Sequence, residues 1–202
     1  MKPNQISFKT NRTGEFYFST KQVKFKDIEG VYSKDAIEEL ANRHIVFGTS
    51  TGYYCPDNPL TRAQFCAMLV RSLGLEATGT NTFKDVKAKD WFATDVQALY
   101  EAGIIKGVSV SKFNPNGTLT RQQAALMLER ILDYLNVETE SYSLNFADAD
   151  KISEDAKSAV AVMQGLGIFT GKPGDVFDPY THLTRAQMAK VLLKTLEIAD
   201  VF

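Results

Sequence analysis

The chain has 202 residues, of which 44% are hydrophobic and 11% aromatic, and its formal net charge is −1. These values are typical of a folded, soluble domain and exclude a disordered or polybasic chain, so we expect no nucleic acid partner. The sequence contains no apolar run of about 18 residues that would insert into a membrane, and its first residues lack the apolar core of a secretory signal. The missing signal does not by itself place the protein in the cytoplasm.

The first 24 residues stand apart from the rest of the chain. Residues 15–20 are rich in aromatic side chains and predict a short strand rather than the start of a helix. We interpret residues 1–24 as an N-terminal extension that is consistent with the tail of an upstream domain.

The remaining chain consists of three copies of one unit. The tripeptide Leu-Thr-Arg recurs with its arginines at Arg62, Arg121 and Arg185, each followed two residues later by a glutamine. The arginines are separated by intervals of about 60 residues, which is typical of tandem repeats rather than chance. The predicted boundaries of the copies, which together form one compact unit, are 25–80, 81–143 and 144–202.

Each copy has the order helix, loop, helix. It opens with an aromatic-x-Asp step, and its first helix ends in a short apolar step closed by glycine. A loop follows with an aromatic residue two positions before a proline, and the threonine of Thr-Arg stands five residues after that proline. The opening acids are Asp27, Asp85 and Asp148, the closing glycines are Gly48, Gly107 and Gly171, and the loop aromatics are Tyr54, Phe113 and Phe177.

The second helix of each copy is amphipathic. In the first copy, apolar residues at Phe65, Met68, Leu69 and Leu73 follow the i, i+3, i+4, i+8 pattern of a helix with one buried face. One helix-loop-helix of roughly 50 residues cannot bury a stable core alone, so we expect the copies to share one. The predicted fold is mainly α, with pseudo-threefold symmetry and the three Thr-Arg helices bundled at the centre.

This ordered succession of motifs, present three times between residues 25 and 198, resembles the S-layer homology domain. The resemblance implies a three-pronged helical pinwheel that anchors proteins non-covalently to Gram-positive cell walls, and therefore an extracellular location at the bacterial surface. It also implies a ligand, the secondary cell wall polysaccharide, which commonly bears pyruvate ketals on N-acetylmannosamine. Grooves between neighbouring prongs would hold the sugar, and the Thr-Arg arginines would contact its acidic group.

The arginine of the motif is the candidate ligand contact. Thr-x-x-Gln forms a capping box, which explains the threonine and the glutamine structurally. Arginine in a first helical turn is unfavourable by about 0.3 to 1 kcal/mol, because the helix dipole is positive there. A guanidinium beside free helix-terminal amides suits an incoming carboxylate, such as that of a pyruvate ketal. The alternative is an intramolecular pair with Asp27, Asp85 or Asp148, and both roles can coexist.

Aromatic residues at the start of the first helix are the second half of the predicted site. Trp91 and its register match Tyr32 offer ring faces on which a pyranose can stack, with core packing as the alternative role. The third copy has Glu154 or Asp155 at this position, so the grooves are not equivalent and the groove that uses the third copy is expected to be weak.

The closing glycines are also candidate ligand contacts. Glycine at 48, 107 and 171 would permit a positive φ or a close approach of ligand to backbone. A helix C-cap explains the same glycines equally well. The loop aromatics are interpreted as core residues rather than ligand contacts.

Other function classes have little support. Cys55 and Cys66 occur in the first copy only, where they either pair or remain reduced, and His44 and His182 lie in different copies, so no metal site is expected. The sequence contains no catalytic motif, so we expect neither an enzyme nor a cofactor. The alternative to glycan binding is a protein–protein module between surface-layer subunits, which predicts exposed apolar patches and salt-insensitive binding.

Overall fold

A computed structural model describes residues 22–201, which contain six α-helices, two short 3₁₀ segments and no β-strand. The mainly α prediction is confirmed. The strand predicted at residues 15–20 lies outside the described residues. The helices are α1 (Lys34–Asn42), α2 (Arg62–Leu73), α3 (Ala93–Glu101), α4 (Arg121–Tyr134), α5 (Lys157–Gly165) and α6 (Arg185–Ile198), and the 3₁₀ segments are Ala149–Lys151 and Glu154–Ala156.

The second helix of every repeat begins with the predicted capping box. The amide of Gln64 donates to Thr61 Oγ1 at 3.2 Å, and the amide of Thr61 donates to Gln64 Oε1 at 3.1 Å. The same reciprocal pair opens α4 and α6. Threonine and glutamine therefore fix where each of these helices begins, by satisfying two backbone donors that the helix leaves without partners.

Helix packing runs between repeats rather than within them. The main helix contacts are α2 on α3, α4 on α5 and α6 on α1, with smaller contacts between α4 and α6. Each first helix thus packs on the second helix of the preceding repeat, and the last repeat closes onto the first. One hydrophobic cluster includes buried residues of all three repeats, among them Leu40, Leu99 and Met163.

The three repeats meet in a ring of backbone hydrogen bonds. Leu60 N donates to Leu183 O at 2.9 Å, Leu183 N donates to Leu119 O at 2.9 Å, and Leu119 N donates to Leu60 O at 3.0 Å. All three leucines are fully buried. Because each residue lies directly before a Thr-Arg step, the ring brings together the N-termini of α2, α4 and α6.

Cys55 and Cys66 both carry free thiols. Cys66 lies in α2 and is fully buried, and burial raises the pKa of its thiol. Cys55 lies in the loop before α2 and has a φ of 58°. Its Sγ is 2.9 Å from Thr49 Oγ1. One thiol faces the core and the other contacts a loop hydroxyl, so the two are not arranged as a disulfide.

The burial of the three leucines predicts that truncating one of them destabilises the whole domain. Replacing Leu119 by alanine removes a fully buried side chain at the junction of all three repeats, and we expect a loss of about 2 to 5 kcal/mol in the free energy of unfolding. Urea denaturation followed by circular dichroism measures this loss. The control is Val110→Ala at a position that is 97% exposed, which should change stability little. A Leu119→Ala variant as stable as the wild type would show that this buried side chain contributes little to the shared core.

The two free thiols predict how many cysteines a thiol-reactive dye labels. Without reductant, a thiol-reactive dye should label two cysteines per chain in denaturant, and in the native state Cys66 should react far more slowly than Cys55, because its thiol is buried and its pKa is raised. The Cys66→Ala variant identifies the slow site. Labelling of neither cysteine in denaturant would show a disulfide instead.

Candidate ligand-binding grooves

The three motif arginines are buried and hold the loop of the next repeat. Arg62, Arg121 and Arg185 are at most 6% exposed. In each, Nε donates to the carbonyl of the loop aromatic and Nη2 donates to the carbonyl of the residue before the closing glycine. The acceptors are Phe113 O (2.9 Å) and Lys106 O (2.9 Å) for Arg62, Phe177 O (2.6 Å) and Thr170 O (3.2 Å) for Arg121, and Tyr54 O (2.8 Å) and Phe47 O (2.7 Å) for Arg185.

Each guanidinium also lies over the ring of the loop aromatic whose carbonyl it binds. The distances from Cζ to the ring centroid are 4.5 Å for Arg62 over Phe113, 4.8 Å for Arg121 over Phe177 and 4.3 Å for Arg185 over Tyr54. These rings are fully buried, as expected for core residues. Burial lowers the pKa of Arg62 and of Arg121, but a guanidinium titrates so high that both stay charged at neutral pH.

The opening aspartates meet the arginines through the loop peptide rather than directly. Asp27 accepts hydrogen bonds from the amides of Tyr54 (2.8 Å) and Cys55 (2.7 Å), while the carbonyl of Tyr54 accepts from Arg185. Asp85 and Asp148 bind the corresponding amides of their own repeats. The alternative of a direct ion pair is therefore not realised, because the loop peptide lies between the two charges.

These amides also affect the acidity of the carboxylates. Burial alone would raise the pKa of Asp85, but the amides of Phe113 and Asn114 together hold that pKa below its usual value. The carboxylate therefore stays ionised while it fixes the loop.

The helix N-terminal amides are occupied by the protein itself. In α2, the amide of Arg62 donates to Gly117 O at 2.9 Å and that of Ala63 to Pro115 O at 3.0 Å. The corresponding amides of α4 bind Thr181 O and Pro179 O, and those of α6 bind Asn58 O and Pro56 O. The interpretation that free amides receive a ligand carboxylate is wrong, because the loop of the next repeat fills these positions.

Among the cavities between repeats, two are lined by residues of all three repeats. The first, here called the α6 groove, has a volume of about 200 Å³. Its lining includes Arg121 from the second repeat, Gly171, Lys172, Gln187 and Lys190 from the third, and Tyr32 from the first. The structure thus places three of the predicted site residues, Arg121, Gly171 and Tyr32, around one cavity.

The second cavity, here called the α4 groove, has a volume of about 240 Å³. Its lining includes Arg62 from the first repeat, Lys106, Gly107, Gln123 and Arg130 from the second, and Asp155 from the third. The carboxylate of Asp155 stands where the α6 groove has a tyrosine ring. The predicted difference between grooves is therefore a difference in side-chain chemistry on the same arrangement of backbone.

The repeat relation defines a third surface, here called the α2 groove. It corresponds to Arg185 from the third repeat, Gly48 and Arg71 from the first, and Trp91 from the second. Arg71 lies over the exposed Phe47 ring at 4.6 Å and donates from Nη1 to Ile45 O at 3.2 Å. This surface is therefore more aromatic than the other two.

Tyr32 and Trp91 are surface residues. Tyr32 is 65% and Trp91 62% exposed, so core packing does not account for either ring. Lys190 Nζ lies over the Tyr32 ring, 5.3 Å from its centroid, and both side chains line the α6 groove. Burial against this groove raises the pKa of Tyr32, Arg121 opposes that rise, and the carboxylate of Asp57 adds to it. The phenol is therefore close to both charges.

The closing glycines are needed for close packing of their own loops. None of the three has a positive φ, and the C-caps of the first helices are Arg43, Ala102 and Leu166, so neither the positive φ nor the C-cap interpretation holds. A Cβ on Gly107 would lie 2.4 Å from Ser109 O, and one on Gly48 would lie 2.5 Å from Tyr53 O. For Gly171 the nearest atom is Asp175 Cα at 3.0 Å.

Several groove residues escaped the sequence analysis. Lys190 aligns with Ala67 and Leu126 of the other repeats, and Lys172 lies after a closing glycine. Neither belongs to the repeated motif, so the comparison of copies that found the arginines could not find them. Their signal is a cation present in one repeat only, which becomes informative once the groove is known.

The comparison with known families agrees with this architecture. The S-layer homology domain model matches residues 24–66, 82–125 and 145–189. The chain belongs to the S-layer homology family. The predicted family is therefore confirmed, and membership implies a role in anchoring at the cell surface.

Relatives with this domain include both surface proteins and enzymes. The chain is 35% identical to an amylopullulanase of Thermoanaerobacterium thermosulfurigenes over 95% of its own length and 10% of that protein. It is 38% identical to an exoglucanase of Acetivibrio thermocellus over 88% of its length and 16% of that protein. With the surface-layer 125 kDa protein of Lysinibacillus sphaericus the identity is 34%, over 87% and 15%. Most of each relative thus lies outside the matched domain, and the S-layer homology domain itself is not the catalytic part of the two enzymes.

No helix within residues 22–201 has the length and hydropathy that crossing a membrane requires.

The buried arginines predict a structural phenotype. Replacing Arg121 by alanine removes two charge-assisted hydrogen bonds and a ring contact, and we expect a loss of about 3 kcal/mol in the free energy of unfolding. Arg121→Lys should recover only part of that loss, because an ammonium cannot bind both carbonyls as the guanidinium fork does. Urea denaturation measures both variants. Lys190→Ala, an exposed change in the same groove, is the control, and unchanged stability of Arg121→Ala would show that the arginine serves the ligand alone.

Proposed function

We propose that this domain anchors its parent protein non-covalently to the cell wall by binding secondary cell wall polysaccharide in the grooves between repeats. Family membership supports anchoring, and the surface-layer relative carries the same domain. The proposed ligand is an acidic glycan whose carboxylate belongs to a pyruvate ketal.

The α6 groove carries this proposal. An exposed tyrosine ring, a lysine ammonium that lies over it and a buried arginine line one cavity of about 200 Å³. The C–H face of a pyranose packs on the face of Tyr32, because that face is apolar and carries partial negative charge. A ketal carboxylate on the same sugar then reaches Lys190 and Arg121.

The role of Arg121 in binding is compatible with its structural role. Its Nε and Nη2 are used by the carbonyls of Phe177 and Thr170. Nη1 takes part in neither bond, and it is the donor that we assign to the ligand. Lys172 also lines the groove, but it pairs with Asp178, so we assign the second contact to Lys190 instead.

The α2 groove is the second proposed site for the acidic glycan. Trp91 supplies the ring, and Arg71 and Arg185 supply the positive charge. We assign the sugar contact to Trp91 because its indole is 62% exposed. The indole lies edge-on against the buried ring of Phe92, with 5.2 Å between the ring centroids, and this contact fixes its orientation.

One observation favours the alternative, a contact between surface-layer subunits. Four apolar side chains are exposed, namely Phe47, Trp91, Val108 and Val110. Contiguous exposed apolar residues are typical of protein interfaces. Binding through such side chains would depend little on salt or on acidic sugars, so one experiment separates the two functions.

The test is calorimetric titration with purified wall polysaccharide, native and chemically depyruvylated. Tyr32→Ala and Lys190→Gln should each weaken binding of the native polymer about tenfold, since each removes a contact of about 1 to 2 kcal/mol. Depyruvylation should remove the difference between Lys190→Gln and the wild type. Lys194→Gln is the matched control, because it changes an exposed lysine one turn along the same helix that is not among the lining residues of the groove.

Two results would contradict the proposal. The first is native and depyruvylated polymers binding equally to every variant. The second is no binding to either polymer together with salt-insensitive association with surface-layer subunits that Trp91→Ala abolishes, which would establish the protein-interaction function.

A further inference from the structure

The α4 groove has the lining of a different kind of site. Where the α6 groove presents Tyr32, this groove presents the exposed carboxylate of Asp155 next to Arg62, Lys106 and Arg130. A carboxylate among cationic donors combines hydrogen-bond acceptors and donors in one cavity. This combination suits a partner with several hydroxyl groups.

The short segment that carries Asp155 is held firmly against α4. The amide of Ser153 donates to Gln122 Oε1 at 3.1 Å, and its hydroxyl donates to the same oxygen at 3.2 Å. Gln122 is the second residue of α4 and stands where the other repeats have alanine. The glutamine that interrupts the motif in this repeat therefore positions the 3₁₀ segment Glu154–Ala156 beside the groove.

An exposed aromatic residue also lies in the loop of the third repeat that packs on the start of α4. Tyr180 directly follows the loop proline and is 61% exposed. Its neighbours fix the loop on the start of α4, because Pro179 O accepts from Gln122 N at 3.1 Å and Thr181 O accepts from Arg121 N at 3.0 Å.

The same two positions carry the opposite side chains beside the α6 groove. There the helix-start position is Tyr32 and the position after the loop proline is Asp57, whose carboxylate is close enough to act on the Tyr32 phenol. Repeat three has Asp155 and Tyr180 at the corresponding positions, so ring and acid have exchanged places. The side that carries the ring in the α6 groove therefore carries the carboxylate in the α4 groove, and the opposite holds for the loop position.

The acid decides which sugar can enter. A carboxylate accepts hydrogen bonds from free hydroxyl groups, and it does so strongly because it is charged. A pyruvate ketal converts two hydroxyls into ether oxygens, which removes both donors, and it brings a second carboxylate toward Asp155. Two negative charges in one small cavity repel each other.

We propose that the α4 groove binds an unketalated pyranose unit through Asp155 and Tyr180, while the α6 and α2 grooves bind the ketal-bearing unit. This inference rests on the proposed function and assigns a second ligand class to the same domain. It replaces the expectation of a weak third groove with that of a groove for neutral sugar. Engagement of two kinds of unit on one polymer would raise avidity without any new contact at the ketal.

The test isolates the α4 groove in the complete chain. Tyr32→Ala and Trp91→Ala together remove the two exposed rings of the other grooves and leave the α4 groove unchanged. Calorimetric titration of this double variant with chemically depyruvylated wall polysaccharide should show binding. Adding Asp155→Asn should weaken that binding about tenfold or more, because hydrogen bonds to a charged acceptor become hydrogen bonds to a neutral one. Adding Tyr180→Ala should weaken it as well.

A matched control is available one residue away. Glu154→Gln removes an exposed carboxylate that pairs with Lys157, and it should leave binding unchanged. Asp155→Tyr should make the α4 groove resemble the α6 groove and shift the preference of the double variant toward native polymer. Thermal melts by circular dichroism confirm that every variant is folded.

The outcomes separate this inference from the proposed function. A wild-type chain that binds native polymer only, with a double variant that binds neither polymer, would overturn the inference and leave the proposed function intact. A double variant that binds depyruvylated polymer equally with and without Asp155→Asn would also overturn it. A wild-type chain that binds neither polymer would overturn both.

Discussion

Three backbone hydrogen bonds among Leu60, Leu119 and Leu183 form a ring that joins the three repeats at their common junction. Each residue donates to one neighbour and accepts from the other, so the ring closes only when all three repeats are present. It fixes the N-termini of the three second helices relative to one another. The loop of each next repeat can then supply carbonyls to the helix amides and to the arginine side chain, and the first helices pack between repeats as a consequence.

The arginine of the repeated motif connects this frame to the binding surface. Two of its nitrogens hold the next loop, and its guanidinium packs on that loop's buried ring. The positive charge is thereby retained at the base of a groove, where a mobile lysine would cost more conformational entropy to fix. The structural role of this residue is therefore compatible with the proposed binding role. The cost of a cation in the first helical turn is offset by hydrogen bonds that only the neighbouring repeat can provide.

Side-chain chemistry varies between the grooves, although the backbone frame of the grooves is shared. Each groove combines an arginine from one repeat, a glycine and a helix from the next, and one residue from the third. Changing only the last of these turns a ring into a carboxylate, as the difference between Tyr32 and Asp155 shows. Three repeats can in this way present more than one side-chain chemistry at the surface without any change in the core.

The sequence alone determined the repeats, the mainly α fold and the capping boxes, because these depend on local spacing and local hydrogen bonds. It also identified arginines that recur against the helix dipole, and rings and acids at one register position. Only the tertiary structure decided which residues face one another, since every groove is assembled from three repeats that are distant in the chain. Three interpretations did not hold: helix amides free for a ligand, direct Asp–Arg ion pairs, and a positive φ or helix C-cap at Gly48, Gly107 and Gly171. In each case the loop of the same or the next repeat fills the space that a single copy leaves open. Lys190 became informative in the same way, because a cation found in one copy carries no periodic signal until the fold places it beside a cavity.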